Sequence, residues 1–320
     1  MKVLITGATG LVGQAIVSAL HEEGIQVNYL TTRKNQIRNE EDYQGYLWNP
    51  AKGEIDLDCF TGVTGIVNLA GASIAKKWTS AHKKAVVDSR VDSLNTLRKG
   101  LEQVKDAQIK SFVSASAIGV YPSSLTDYYE ESHTGIDDSF LGEVVEVWEK
   151  AAQDFSSFSF PVALIRIGIV LSNEGGALPK MDAPIRNYAG AAIGSGEQWQ
   201  SWIHINDLAS MFVFALKNQL SGIYNGVAPN PVTNAKMIKT IAKALKKPLI
   251  LPNVPAAALK LFLGEMAYVV LASQRVSSKK IEDAGFLFEY SNLDCALEAL
   301  YYPKTAEKSP EMARINKEYV

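Results

Sequence analysis

The chain has 320 residues, of which 47% are hydrophobic and 21% charged, with a formal net charge of -2. That is an ordinary globular composition, long enough to bury a sizeable core in one large domain or two joined lobes, and its near-neutral charge gives no electrostatic case for nucleic acid or an anionic membrane surface as partner. The two cysteines, Cys59 and Cys295, lack CxxC spacing and a nearby histidine, which argues against a disulfide framework or a metal site and fits a reducing compartment.

Met1-Lys2-Val3 does not open a signal peptide, because Lys2 to Thr6 reads as a short apolar strand running straight into Gly7-Ala8-Thr9-Gly10-Leu11-Val12-Gly13. Ile16, Val17 and Leu20 then stand at helical spacing up to Gly24, and Gln26 to Thr32 reads as a second strand. Gly65 to Leu69 is a third strand, Ser80 to Leu101 a long helix, Ser111 to Ser114 a strand, Glu143 to Phe155 a helix and Val162 to Leu171 another strand. Apolar strands alternating with helices predict an α/β fold, a Rossmann-type doubly wound parallel sheet. Past Leu171 the rhythm loosens into a glycine-rich stretch ending at Trp202-Ile203-His204. Asn206 and Asp207 are natural N-caps for a helix through Leu216, and another helix follows Thr233. The stretch from Ala256 to Ala272 reads as a helix, too interrupted by Lys260, Gly264 and Glu265 to span a membrane. The expected organisation is a nucleotide-binding domain over 1–171, to which Ile205–Asn225 returns, a substrate lobe and C-terminal module over 172–303, and a polar tail over 304–320.

Gly7, Gly10 and Gly13 have the GxxGxxG spacing of a dinucleotide site. The first glycine allows the tight turn, the second lets the backbone approach a pyrophosphate, and the third lets helix and strand pack closely. Thr9, Leu11 and Val12 complete the turn, whose helix aims free N–H groups at the phosphates. NAD-type sites place an acid about 20 residues onward to bind the ribose hydroxyls. Here Thr31-Thr32-Arg33-Lys34 stands in that region, and the Arg33 fork suits a 2′-phosphate, so NADP(H) is expected over NAD(H).

These residues resemble the short-chain dehydrogenase/reductase superfamily in its extended or atypical branch. Asn68-Leu69-Ala70-Gly71 looks like the strand end that lines the cofactor there, and Ser114-Ala115-Ser116-Ala117 like the serine-bearing strand end. Ser89-Arg90-Val91, Arg166-Ile167-Gly168-Ile169-Val170-Leu171, Gly194-Ser195-Gly196-Glu197-Gln198-Trp199 and Ser201-Trp202-Ile203-His204-Ile205 are similar to a subgroup related to nucleoside-diphosphate-sugar epimerases. The segment from Pro255 through Ser273-Gln274-Arg275-Val276 resembles that subgroup's C-terminal module. The resemblance implies a cofactor site that includes Leu69, Ala70, Gly71, Ser114 and Arg166.

It also implies a Tyr acid/base with a Lys four residues on, and no tyrosine in this chain has that partner. Aligned through Glu149, the helix offers Leu141 and Val145 at those places, and neither can move a proton. Ser116 is then the expected group to polarise a carbonyl, and Tyr121 the nearest phenol to donate a proton. Trp199, Trp202 and His204 are expected to wall a substrate pocket. The expected activity is an NADP(H)-dependent oxidoreductase on a small carbonyl or hydroxyl substrate, because reduction tolerates a weak acid whereas epimerisation needs a base to start. An epimerase-like enzyme and a non-catalytic NADP(H)-binding redox sensor are the alternatives. A cytoplasmic location is expected, with a homodimer through a helix pair as the assembly related folds offer.

Overall fold

Seven strands form one parallel sheet: β1 (Lys2–Thr6), β2 (Gln26–Thr31), β3 (Tyr43–Asn49), β4 (Gly65–Asn68), β5 (Ser111–Ala117), β6 (Val162–Ile167) and β7 (Gly222–Gly226). The structure, a computed structural model, describes residues 1–303, so the tail expected over 304–320 lies outside the described residues. The strand order is β7-β6-β5-β4-β1-β2-β3, with the short strand Asn39–Glu40 added antiparallel to β3 at one edge. Strand order reverses between β1 and β4, and ligands of such sheets bind where the strands on either side of that switch end.

Crossovers on the two sides of the switch point run over opposite faces of the sheet. Helix α1 (Leu11–Glu22) packs with α5 (Ile205–Lys217) on one face, and α2 (Ser80–Gln103) packs with α3 (Phe140–Gln153) on the other. Val3, Leu4 and Ile5 of β1 and Ile66 and Val67 of β4 are wholly buried, as strands covered on both faces require. The region 205–226 thus rejoins the sheet through α5 and β7.

Three expected elements differ. The run from Val162 to Leu171 breaks at Gly168, after which Ile169–Leu171 leaves the sheet to pair with Trp202–His204. A side chain at Gly168 would come within 2.4 Å of the Ser201 carbonyl oxygen, so only glycine lets the two segments cross there. The stretch from Ala256 to Ala272 is two helices, α7 (Ala256–Leu263) and α8 (Ala267–Leu271), divided at Gly264, whose φ of 58° ends the first. Helix α5 is capped by His204 rather than by Asn206 or Asp207, which both lie inside it. The Asp207 carboxylate instead accepts the backbone N–H groups of Glu289 and Tyr290 at 2.8 and 3.0 Å. A second apolar cluster, holding Leu171, Trp202, Ile238 and Leu297, forms the smaller lobe, where α4 (Leu178–Arg186) packs on α6 (Asn234–Ala244).

Candidate active site

The strand ends at the switch point are tied by one buried chain of side chains. Thr6 Oγ1 donates to Asn68 Oδ1 at 2.8 Å, and Asn68 Nδ2 donates to Ser114 Oγ at 3.0 Å. Thr6 Oγ1 also accepts the backbone N–H groups of Leu69 and Ala70. Ser114 donates onward to the Ala115 carbonyl and is wholly buried, so it braces the strand ends rather than meeting a cofactor as the resemblance implied.

The glycine turn is pressed between Leu69 and α1. Gly7 has a φ of 75°, and a Cβ there would lie 3.1 Å from the Leu69 backbone. A Cβ on Gly13 would lie 2.2 Å from the Gly7 carbonyl oxygen. Gly10 caps α1, no side chain occupies the cap, and no acid stands in the first turn. This is a free helix N-terminus under a glycine turn, the cradle a pyrophosphate needs. Thr9 is exposed on it, Val12 packs onto the core, and Leu11 lies under Gly176. At the end of β2, Thr31 Oγ1 accepts the Arg33 backbone N–H, and the exposed Arg33 side chain makes no ion pair among the described residues.

Ser116, Tyr121 and Arg166 are brought together, but in the interior. Ser116 Oγ donates to Glu149 Oε1 at 2.5 Å, and Arg166 grips both Glu149 oxygens at 2.8 Å through Nε and Nη2. Arg166 Nη1 donates to Tyr121 Oη at 3.0 Å, and Tyr121 donates to Asn225 Oδ1 at 2.8 Å. Ser116 is 2% exposed and Tyr121 not at all, and burial raises the Tyr121 pKa. Ser116 and Tyr121 are sealed with their protons engaged, so neither is open to a substrate in this arrangement, and Arg166 holds the Glu149 carboxylate. Val145 is buried beside them and Leu141 lies against Gly119. Arg90, from the Ser89-Arg90-Val91 motif, has no acidic partner among the described residues. It donates Nη1 to the carbonyls of Ala72 and Val86 and stacks on Trp148.

The open cleft lies further along, between the N-terminal ends of α2 and α3 and the α7–α8 segment. Its volume is about 930 Å³, and Trp78, Phe140, Leu125, Tyr268 and Leu271 contribute to its walls. Tyr268 Oη donates to Asp137 Oδ2 at 2.5 Å, and Asp137 in turn accepts the backbone N–H groups of Ser123 and Ser139. Burial and the Asp137 carboxylate hold the Tyr268 phenol well above the usual range, so it stays protonated. No short-range pattern marks this pair, since 131 residues separate its members.

The expected aromatic wall is only partly there. Trp199 donates Nε1 to the Leu125 carbonyl at 3.1 Å and carries Arg275 over its ring, so it holds a cleft loop in place. Trp202 is wholly buried in the smaller lobe, with Nε1 on the Asn230 carbonyl, and walls nothing. His204 lies in a different groove, stacked 3.9 Å from the Tyr290 ring, with Nδ1 accepting the Asn206 backbone N–H. Burial pushes its pKa down to about 4. A histidine kept neutral in the fold but free to protonate when unfolded lowers stability as pH falls from 6.5 towards 4. At pH 5 the loss is about 2 kcal/mol. His204→Asn keeps a capping side chain without the titration. Its melting temperature is expected to fall less than wild type between pH 7 and pH 5, and an unchanged slope would remove His204 as the cause.

Known proteins share this architecture. A family model described as the NAD dependent epimerase/dehydratase family matches residues 3–139, and one described as a domain of unknown function (DUF1731) matches residues 254–300. An epimerase family protein of Staphylococcus aureus is 39% identical over 298 residues, covering 93% of this chain and 98% of its own. A Staphylococcus epidermidis relative is 36% identical over 305 residues, with the same coverage of 93% and 98%. The crystal structure of the human epimerase family protein SDR39U1 with NADPH superposes with a TM-score of 0.83 at 31% identity, covering 94% of this chain and 99% of that one. A UDP-glucuronic acid 4-epimerase of Bacillus cereus, 18% identical with a TM-score of 0.73, shares the fold. Among the described residues no helix is long and apolar enough to cross a membrane. With relatives matched nearly end to end and the same parallel sheet, the chain belongs to the epimerase family of the short-chain dehydrogenase/reductase superfamily, whose members bind a nicotinamide cofactor.

Proposed function

We propose that the protein is an NADP(H)-dependent oxidoreductase acting on a small carbonyl or hydroxyl substrate held in the cleft beside Tyr268. The observation that carries this reading is the uncapped α1 N-terminus under the glycine turn, with Arg33, which makes no ion pair among the described residues, where an NAD site would carry an acid. NADPH in the 31% identical human relative supports the choice of cofactor. The turn from Gly7 to Gly13 would hold the pyrophosphate, and Arg33 the 2′-phosphate. When bound, the nicotinamide supplies hydride transfer to or from carbon. The chain itself holds a proton on Tyr268 Oη, and Asp137 fixes the direction of that phenol. Because the phenol stays protonated and commits its proton to Asp137, it supplies no base and only a weak acid, and the residues favour reduction, with water delivering the proton, over base-initiated epimerisation.

Titration of nucleotide-stripped protein with NADPH and NADH, followed by nicotinamide fluorescence, tests the cofactor choice. Arg33→Asp is expected to weaken NADPH roughly ten- to a hundred-fold and to leave NADH within a few-fold. Equal binding of the two nucleotides by wild type would remove the Arg33 argument. Once a carbonyl screen has given a substrate, Tyr268→Phe is expected to raise KM several-fold and to leave hydride transfer within about ten-fold, with NADPH affinity unchanged. A non-catalytic NADP(H)-binding role is the second reading, favoured by Leu141 and Val145 at the dyad positions. Tight NADPH binding without turnover of any carbonyl would select it.

A further inference from the structure

The cleft carries one feature that hydride chemistry does not use. Lys83 stands in the first turns of α2, where His82 and Lys84 flank it and no acid occupies the first turn. A cation there opposes the helix dipole, whose positive end favours an anion. Its ammonium lies 5.2 Å from the centre of the Phe140 ring and 6.0 Å from that of Trp78. Those two rings meet edge to face at 5.0 Å, and Trp78 is fixed by its Nε1 on the Ile74 carbonyl.

The Lys83 charge is met from across the cleft by the Glu265 carboxylate, on the turn between α7 and α8. The pair is lopsided, with the Lys83 side chain 29% exposed and that of Glu265 65% exposed. An ion pair so open to water contributes little and is readily exchanged. The Glu265 side chain, being mostly exposed, has solvent to swing into. The charged residues that line the cleft are Lys83, Lys260 and Glu265, which leaves one positive charge in excess with Glu265 in place and two once it is displaced.

We infer that the cleft binds an organic acid with an aromatic or otherwise apolar body. Its carboxylate would take the place of Glu265 on Lys83, and its body would lie against Trp78, Phe140 and Leu271. Glu265 is then the chain's own stand-in for the ligand, marking where the anion sits. That this acid is the substrate rests on the oxidoreductase reading; that the cleft prefers acids does not.

Calorimetric titration of the full chain, with and without saturating NADPH, separates the two. The probes are 2-naphthoate and 2-naphthamide, which share a body and differ in charge. Naphthoate is expected to bind about ten-fold more tightly than naphthamide. Lys83→Gln should erase that preference and Lys83→Arg keep it. Glu265→Gln, at an exposed position that tolerates change, should tighten naphthoate several-fold and leave naphthamide where it was. Equal affinities in wild type, or a preference that survives Lys83→Gln, would overturn the acid subsite. A sample that shows the naphthoate preference but takes up no NADPH would support the subsite while defeating the oxidoreductase reading.

Discussion

Gly13→Ala is expected to abolish measurable NADPH binding while the protein still folds. The added methyl would stand 2.2 Å from the Gly7 carbonyl oxygen and 2.7 Å from Ala8 Cα. Both are backbone atoms, so no side chain can rotate aside, and α1 must move off the turn. The fold bears that shift at a cost of roughly 1–3 kcal/mol. A helix N-terminus displaced from its turn no longer aims its N–H groups at one point, and an affinity loss beyond about a hundred-fold follows. Gly24→Ala is the control, because Gly24 has a φ of 67° and nothing within 4 Å of its added Cβ. It should lose about 1 kcal/mol by backbone strain and keep NADPH affinity. Fluorescence titration beside thermal melts distinguishes the two, and a Gly13→Ala protein that binds NADPH normally would show that the turn is not the phosphate cradle.

What could be read from the chain before its structure follows from how local each signal is. The N-terminal unit is legible because strand, glycine turn and helix are consecutive, and each element obeys its own period. β3 was not, because Tyr43–Asn49 buries every third residue instead of alternating, and β7 was not, because Gly222 and Gly226 bound it. The break at Gly168 depends on Ser201, which lies far along the chain, so the apolar run around it reads as one strand. The helix-capping expectation failed because Asp207 satisfies two distant backbone groups that no local pattern discloses.

The site divides the same way. The glycine turn is a run of neighbouring residues and is legible, whereas the cleft sets Lys83 beside Tyr268, with Asp137 behind the phenol, and only the fold brings these together. Ser116 stands at a strand end, but which way a strand residue faces depends on register. It turns towards α3 and Glu149, 33 residues away, and the next residue, Ala117, has no hydroxyl to offer.

Glu149 is where that distinction between bracing and catalysis has the largest expected effect on stability. Its carboxylate accepts three hydrogen bonds, two from Arg166 and one from Ser116, and both charged side chains are less than one-tenth exposed. Glu149→Gln leaves the Arg166 guanidinium buried without its counter-charge and turns an amide N–H₂ towards a donor. Breaking a buried pair from one side costs about 3–5 kcal/mol. For a chain of this size the melting temperature should fall by roughly 5–8 °C. Glu149→Leu combined with Arg166→Met removes both charges, and much of the loss should return, since apolar groups can replace a buried pair nearly neutrally. NADPH affinity should stay within a few-fold in the double variant, because neither side chain faces the glycine turn. If the double variant were as unstable as the single one, the pair would be holding Tyr121 and Asn225 in place rather than balancing charge. If it were stable but unable to bind NADPH, the implied role of Arg166 at the cofactor would be restored.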